Sequence, residues 1–445
     1  MKYSFVLAAS LSCVAAPLAL AQARPAVRKL GAIEARSKEP LGSAASVRTL
    51  PGGKLLVNDV ARRRVLLFDG ALSAFTVVAD STSATANAYS GRSGGLIAYR
   101  GDSSLFVDPA SMSMLVIDPA GKVARVMSVP RSEDAVLLGS PVGGAAFDSK
   151  GRLLYRGALR RRFSGGGLPG GGGGAPFAIP EPPDSAPIFR IDLQTRKLDT
   201  VAFIKTPKVK IDVSRDSSGG MTIATQVNPL PVVDDWAVLS DGSLAIVRGR
   251  DYHVDFINSE GAKVSAPKIP FEWQRLTDED KVAFIDSLKV ARERMGPNAP
   301  GVGGVPGFPG AGGASGEGGG MRIEIGTTII GGGGSANGAP RPGPARTAPT
   351  TQVSFVAPAD LPDYKPAFFG GSARADAQGN LWIRTIPTSA IAGGPVYDVI
   401  NRQGKLVERV QIPAGRTIIA FGADGAVFLS GRENNVAFVE RARVR

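Results

Sequence analysis

Cysteine and histidine are almost absent from this 445-residue chain, which has one residue of each, Cys13 and His253. One cysteine cannot form an intramolecular disulfide, and a zinc site of the usual kind needs several Cys or His ligands. A serine hydrolase triad would have to use His253, and no G-x-S-x-G motif accompanies it. We interpret His253, at the start of a predicted strand, as a half-buried structural residue.

Long apolar runs are also scarce, and the one that stands out covers residues 3–20 at the N-terminus. It follows a single lysine and ends in small residues, which is typical of a secretory signal peptide cleaved after Ala21 or Ala23. The residues SLS before Cys13 do not form a lipobox, so no lipid anchor is predicted. We expect residues 1–21 to be removed and the mature chain, without a membrane span, to be periplasmic or secreted.

Acidic residues are outnumbered, with 52 Lys and Arg against 39 Asp and Glu and a net charge of +13. In an exported protein, this excess favours anionic surfaces or ligands over nucleic acid as partners. Simple solubility is the alternative explanation.

A turn followed by a β-rich run recurs six times, and internal repeats of this kind define the fold. The runs are KLLVND, SLFVDP, RLLYRG, SLAIVR, NLWIRT and AVFLSG. Each follows one short strand and precedes a third strand, and a fourth strand follows in most copies. Where the repeat is uninterrupted, its spacing is near 48 residues, as from Ser103 to Gly151. Four antiparallel strands at this spacing predict an all-β fold, a six-bladed β-propeller.

The sixth repeat ends before its fourth strand, and the mature N-terminus offers a replacement, VRKLGAIEA at residues 27–35. A propeller closed in this way leaves fewer exposed sheet edges. We therefore predict that residues 24–445 form one domain, closed by the N-terminal strand. Seven blades remain the alternative if residues 206–230 or 321–357 contain a degenerate blade.

The repeated pattern D-x-x-G-x-L-x-V followed by V-x-x-I/F-D/N-x-x-G-K resembles six-bladed propellers of the NHL and TolB-like type. The resemblance covers nearly all of the chain outside its insertions. It implies the fold and says little about function, because propellers host binding, scaffolding and many chemistries.

The insertions all fall on one side of the predicted ring. Turns between strands A and B and between C and D are short, whereas long segments occupy B–C or D–A positions: about 158–186, 206–232, 270–369 and 386–395. Gly/Pro-rich residues 164–176 and 296–346 are predicted to be disordered. One face of the ring is thus trimmed and the other elaborated, and function is expected on the elaborated face.

One inserted segment, residues 277–294, predicts a helix. Thr277 can cap it, and acidic residues follow in the first turn. Val282, Ile285 and Leu288 are expected on one apolar face.

Arginines recur just after strand B in several blades, where loops of the elaborated face begin. If they converge, they could bind a carboxylate or phosphate, and an ordinary solvated rim is the alternative. The candidate ligand-binding residues are Arg62, Arg156, Arg248, Arg250, Arg384 and Arg432.

Oxygen ligands for Ca²⁺ are the alternative kind of site. No spaced calcium-binding loop is present, so Ca²⁺ is only a weak candidate and no catalytic set is assigned. The candidate ligands are Asn58, Asp59, Asp108, Asp251 and Glu433.

The three tryptophans, Trp236, Trp273 and Trp382, are interpreted as blade core rather than a sugar-stacking platform.

The sequence therefore favours an exported binding or protein-interaction module over an enzyme. Its partner would be an unknown protein or an anionic small molecule or polymer. The alternatives are a metal-dependent propeller hydrolase or lyase and a structural envelope protein.

Overall fold

The computed structural model describes residues 24–44, 46–90, 94–139, 144–158, 183–215, 221–295, 350–388, 392–434 and 436–444. Within these segments, no helix has the length and apolarity needed to cross a bilayer. The predicted signal peptide and both Gly/Pro-rich stretches lie outside the described residues.

Four-stranded antiparallel sheets form the blades of a ring. Two short strands come first, β1 (Val27–Lys29) and β2 (Ile33–Arg36). Blade 1 contains β3 (Ser46–Thr49), β4 (Leu55–Asp59), β5 (Arg64–Phe68) and β6 (Phe75–Asp80). Blade 2 contains β7 (Gly95–Ala98), β8 (Ser104–Asp108), β9 (Ser113–Ile117) and β10 (Val123–Ser128), and helix α1 (Ala135–Leu138) follows. Blade 3 contains β11 (Ala146–Phe147), β12 (Leu153–Arg156), β13 (Ser185–Ile191) and β14 (Leu198–Lys205).

The second half of the ring carries the larger insertions. Strands β15 (Val209–Arg215) and β16 (Met221–Val227) precede blade 4, which contains β17 (Asp235–Val238), β18 (Leu244–Arg248), β19 (His253–Ile257) and β20 (Lys263–Ser265). Helix α2 (Asp278–Met295) and strand β21 (Thr350–Phe355) come next. Blade 5 contains β22 (Phe368–Ala375), β23 (Leu381–Thr385), β24 (Val396–Ile400) and β25 (Leu406–Gln411). Blade 6 contains β26 (Arg416–Phe421), β27 (Ala426–Glu433) and β28 (Val436–Arg443), together with β2.

The hydrophobic core lies between the blades rather than at the centre of the ring. Side chains alternate between the two faces of each strand, so every sheet packs against both of its neighbours. Leu56 of blade 1 packs in one cluster with Phe106 of blade 2, for example, and Ile188 of blade 3 packs with Trp236 of blade 4. Six such clusters join consecutive blades around the ring, and the prediction of a six-bladed β-propeller is confirmed.

The seven-blade alternative is wrong. Strands β15, β16 and β21 form a separate three-stranded sheet, in which β21 pairs with β16 in parallel. This sheet does not separate blades, because blade 4 packs directly against blade 3 and against blade 5. We call β15, β16, β21 and α2 the accessory module.

The N-terminal strand closes the last blade, as expected. Strand β2 pairs antiparallel with β28, with Arg36 opposite Glu440. The predicted strand at residues 27–35 is divided, however, because β1 pairs in parallel with β25 of blade 5. The N-terminal segment therefore joins blades 5 and 6.

The inserted helix is present, and Thr277 caps it through reciprocal hydrogen bonds with Asp280. Ile285 and Leu288 are 1% and 2% exposed, whereas Val282 is 47% exposed, so its assignment to the buried face was wrong. The buried stripe runs instead through Lys281, one turn before Ile285. Lys281 can be buried because its Nζ lies 2.9 Å from a carboxylate oxygen of Asp363.

The connections between strands differ between the two faces of the ring. Strands A to D run outward in each blade, and A strands of adjacent blades contact one another around the central channel, as β3 contacts β7 and β26. All described A–B and C–D connections have four to six residues. The long connections, with α1 and the accessory module, occupy B–C and D–A positions. Because successive turns of an antiparallel meander alternate between its two ends, these insertions leave from one face. This is the elaborated face.

Candidate functional site

The inner strands can be aligned through the hydrogen bond that closes each A–B turn, as from Leu50 N–H to the Lys54 carbonyl at 2.8 Å. The closing residue is the one whose N–H makes this bond. The residues that lie four, three and two positions before it are called channel layer 1, channel layer 2 and channel layer 3, respectively. Layer 1 contains Ser46, Gly95, Gly144, Asp235, Ser372 and Ile418. Layer 2 contains Val47, Leu96, Ala145, Trp236, Ala373 and Ile419. Layer 3 contains Arg48, Ile97, Ala146, Ala237, Arg374 and Ala420.

A cavity of about 140 Å³ lies inside the channel at these layers. Five of the six blades line it, together with Leu138 of α1, which belongs to the elaborated face. Two of the lining residues are glycines, and they differ in their surroundings. A Cβ added at Gly95 would lie 2.6 Å from the carbonyl oxygen of Gly139. A Cβ added at Gly144 would meet no heavy atom within 4 Å.

Arg374 is the one charged residue in the lining of this cavity. Its Nη1 donates to the carbonyl oxygens of Gly371 at 3.1 Å and Ala373 at 2.9 Å. In the described part of the chain, it has no ion pair. The nearby carboxyl of Asp235 accepts hydrogen bonds from the N–H groups of Ala373 and Trp236. Burial raises the pKa of Asp235 above its usual value, against the effect of these N–H groups and of Arg374.

Two of the predicted arginines, Arg62 and Arg432, bind the same loop. Arg62 donates to the carbonyl of Pro40, and Arg432 donates to the carbonyl of Gly42 at 2.8 Å. This loop connects β2 to β3, so both side chains help to hold the N-terminal segment in the ring.

Arg248 is held between two carboxylates of blade 4. Its Nη1 lies 2.7 Å from Asp234 and its Nε lies 2.8 Å from Asp255. Burial lowers the pKa of Arg248, but hydrogen bonds to these carboxylates outweigh that effect and raise it above its usual value. An external anion would therefore compete with two internal ones.

The remaining three arginines differ in exposure. Arg156 ends β12 and is half-buried, whereas Arg250 is exposed in the B–C turn of blade 4. Arg384 is half-buried in β23, and its side chain makes no hydrogen bond or ion pair with the residues that the structure describes. Ligand binding by the six arginines stays a prediction.

The candidate calcium ligands all have protein partners. Asn58 bonds Gly94 and Tyr89, and Asp59 accepts the N–H groups of Gly42 and Ser43. The remaining candidates are bonded in the same way: Asp108 to Ser90 and Ala110, Asp251 to His253, and Glu433 to Arg36 and Arg416. The described segments contain no group of three or more His, Cys, Asp or Glu residues arranged to hold a metal ion.

His253 is partly buried beside two carboxylates, with Nδ1 2.7 Å from Asp251 and Nε2 3.5 Å from Asp255. Of the tryptophans, Trp236 and Trp382 are blade core, as interpreted. Trp273 is not, because it lies between β20 and α2, outside the blades, and is 38% exposed.

Arg374 was missed by sequence reasoning because SARAD carries no motif. The available signal was its alignment with Ala146, Ala237 and Ala420 in the other repeats, which requires the register of every inner strand. The structure supplies that register.

No protein-family model matches this chain, and no curated protein matches it. Among solved structures, a gluconolactonase from Xanthomonas campestris is 11% identical, with 95% of this chain and 99% of that chain covered and a TM-score of 0.37. Virginiamycin B lyase from Staphylococcus aureus is 11% identical, with 91% and 96% covered and a TM-score of 0.37. The calcium-binding protein regucalcin from Agrobacterium tumefaciens is 11% identical, with 94% and 98% covered and a TM-score of 0.38. Likenesses this weak carry no conclusion about the function of this chain.

Proposed function

We propose that this chain is an exported binding module that engages its ligand or partner through the elaborated face. The observation that supports this proposal is the one-sided distribution of α1, the accessory module and the long connections. A rigid ring with loops on one side is a common arrangement for recognition. The N-terminal run of apolar residues supports export.

An anionic ligand or partner fits the charge of the chain, which is +13 overall. On the elaborated face, Arg250 is exposed, and the guanidinium of Arg384 has no partner among the described residues. The rival function is a metal-dependent hydrolase or lyase. Metal analysis of the purified protein would favour that rival if it found stoichiometric calcium.

The orientation of binding can be tested with single cysteines, because Cys13 is the only natural one and lies in the predicted signal peptide. Lys122→Cys places a thiol on an exposed C–D turn of the trimmed face. Val136→Cys places one on α1 of the elaborated face, at a residue that is 46% exposed. Each protein, beginning at Arg24, is coupled to biotin and immobilised.

We expect partners from an extract of the producing cells to bind when the chain is tethered through position 122 and to be lost when it is tethered through position 136. Small anions are tested on the same two surfaces by calorimetry of the unbound proteins. Equal capture in both orientations would contradict the proposal.

A further inference from the structure

In blades 1 to 5, the backbone N–H groups of channel layer 2 are directed toward the channel. In an antiparallel ladder, residues alternate between bonded and non-bonded pairs, and the turn-closing residue belongs to a bonded pair. The layer 2 residue, three positions earlier, therefore directs its N–H away from strand B. Two contacts agree with this geometry: Leu96 N–H donates to Ser46 Oγ at 2.9 Å, and Ala373 N–H donates to Asp235 at 2.8 Å.

In both of these contacts, the acceptor is a layer 1 side chain of the preceding blade. For Val47 and Ala145, the corresponding layer 1 residues are Ile418 and Gly95, which have no acceptor in their side chains. No described side chain accepts a hydrogen bond from the N–H of Val47 or of Ala145, and both residues line the cavity. Both residues are half-buried, and an N–H without a described acceptor is a donor available to a ligand in the cavity.

Arg374 adds charge-assisted donors to the same cavity. Only its Nη1 is engaged, and its other N–H groups have no acceptor among the residues that the structure describes. The other charged residue of layer 3, Arg48, does not line the cavity. No carboxylate lines it either, so its polar groups complement an anion.

The rest of the wall limits the kind of anion. Six of the ten lining residues have apolar side chains: Val47, Leu96, Ile97, Leu138, Ala145 and Ile419. One arginine can neutralise one negative charge, whereas a phosphate dianion would leave charge uncompensated among apolar groups. A ligand with one carboxylate and a short apolar body matches both the charged donor Arg374 and the apolar side chains of the wall.

We propose that the channel cavity binds a small organic monocarboxylate, with Arg374 and the N–H groups of Val47 and Ala145 on its carboxylate. The apolar body of the ligand packs against the remaining wall. This inference rests on the proposed function, since it names a ligand class for a binding module, and it adds a site that lies inside the ring.

The probes are butanoate, hexanoate and benzoate, each compared with its neutral amide and with inorganic phosphate. Calorimetry with the chain from Arg24 should show at least one carboxylate binding with a dissociation constant of about 1 mM or tighter. We expect the matching amide and phosphate to bind at least about tenfold more weakly, because they lack the charge or the apolar body.

Two variants test the location. Arg374→Gln should weaken carboxylate binding at least about tenfold, and Arg374→Lys should weaken it less because the charge is kept. Gly144→Val should block the cavity without disturbing the fold, since a Cβ there has open space around it. The matched controls are Arg402→Gln on the trimmed face and Ala98→Val, which enlarges an exposed inner-strand residue outside the lining. Both should bind like the wild type.

Three results would overturn the inference: no binding of any carboxylate to the wild type, equal binding by Gly144→Val, or phosphate bound as tightly as the best carboxylate. Thermal unfolding of every variant identifies loss of fold. If Arg374→Gln does not fold, Arg374→Lys and Gly144→Val still test whether the carboxylate binds in the channel cavity. If no carboxylate binds in the channel but partner capture still depends on the tethering position, only the carboxylate site is contradicted. Equal capture in both orientations removes the proposed function independently of the channel.

Discussion

The guanidinium of Arg36 on β2 and the carboxylate of Glu433 on β27 form an ion pair, with Nη2 2.7 Å from Oε2, where β2 joins the strands of blade 6. Arg416 on β26 lies 2.9 Å from the same carboxylate and 2.8 Å from Glu440 on β28. Arg36 also lies over the ring of Phe438. One network therefore connects all four strands of blade 6, including the strand from the N-terminus.

This closure predicts that the first strands contribute unequally to stability. A chain beginning at Gly31 loses β1, whose three residues are exposed, and the flanking residues Arg24, which lies over Phe271, and Leu30, which packs at the edge of one cluster. A chain beginning at Lys38 also loses β2, which leaves the outer edge of blade 6 unpaired and removes Arg36 from its network. Relative to a chain from Arg24, we expect a small change for the first truncation. We expect a fall in the melting temperature of about 5–10 °C for the second. Equal melting temperatures for all three chains would contradict the role of β2.

The same network predicts acid sensitivity. Hydrogen bonds from Arg36 and Arg416 lower the pKa of Glu433 below its usual value. A carboxyl with a depressed folded-state pKa stabilises the protein above its unfolded pKa, and this contribution is lost as the pH falls through the folded value. Melting temperatures of the wild type and Glu433→Gln should therefore differ at pH 7 and converge toward pH 3. A constant difference across this range would contradict the ion-pair explanation.

The ring could be predicted because each hairpin depends on local sequence. The Asp376 carboxylate accepts the N–H of Asn380, and Gly379 has a φ of +85°, a region that favours glycine. Such turns recur with the same spacing in successive blades, so short stretches of sequence determine the strand order. The N-terminal strand that closes blade 6 could be predicted because the last repeat lacks its fourth strand.

The channel cavity could not be predicted, because its residues come from distant parts of the chain. Ser46 and Arg374 line one space only after the ring has closed. The place of Lys281 on the buried face of α2 was missed for a related reason. Lys281 is tolerated there because of Asp363, which a local apolar pattern does not show. Of the predicted arginines, only Arg62 and Arg250 follow strand B. The others lie within its last two residues: Arg156, Arg248, Arg384 and Arg432. The two carboxylates that hold Arg248 could not be read from the local sequence pattern.

Arg248 and Arg250 provide a matched pair for separating structural from ligand-binding roles. Arg248→Ala leaves the buried carboxylate of Asp255 without its 2.8 Å partner and also frees Asp234. We expect a loss of about 1–3 kcal/mol in the free energy of unfolding, because Asp234 would lose its counter-charge and Asp255 would keep only that of Lys263, 3.0 Å away. Arg250→Ala should change stability little, since its side chain is exposed. Chemical denaturation measures both. An Arg248→Ala protein as stable as the wild type would contradict the structural role.

We expect a substitution in the core of the accessory module to destabilise this module without unfolding the ring. Leu288 packs with Phe284 and Phe355 in a small cluster that is separate from the clusters between blades. Leu288→Ala removes most of a buried side chain from it, a change that costs about 2–5 kcal/mol in a well-packed core. Because that loss falls on a local unit, hydrogen exchange should become at least about tenfold faster in α2 and β21, while exchange in the blades stays unchanged. Val282→Ala on the same helix is the control and should change neither, since Val282 is exposed. Faster exchange throughout the blades in Leu288→Ala would show instead that the module and the ring unfold as one unit.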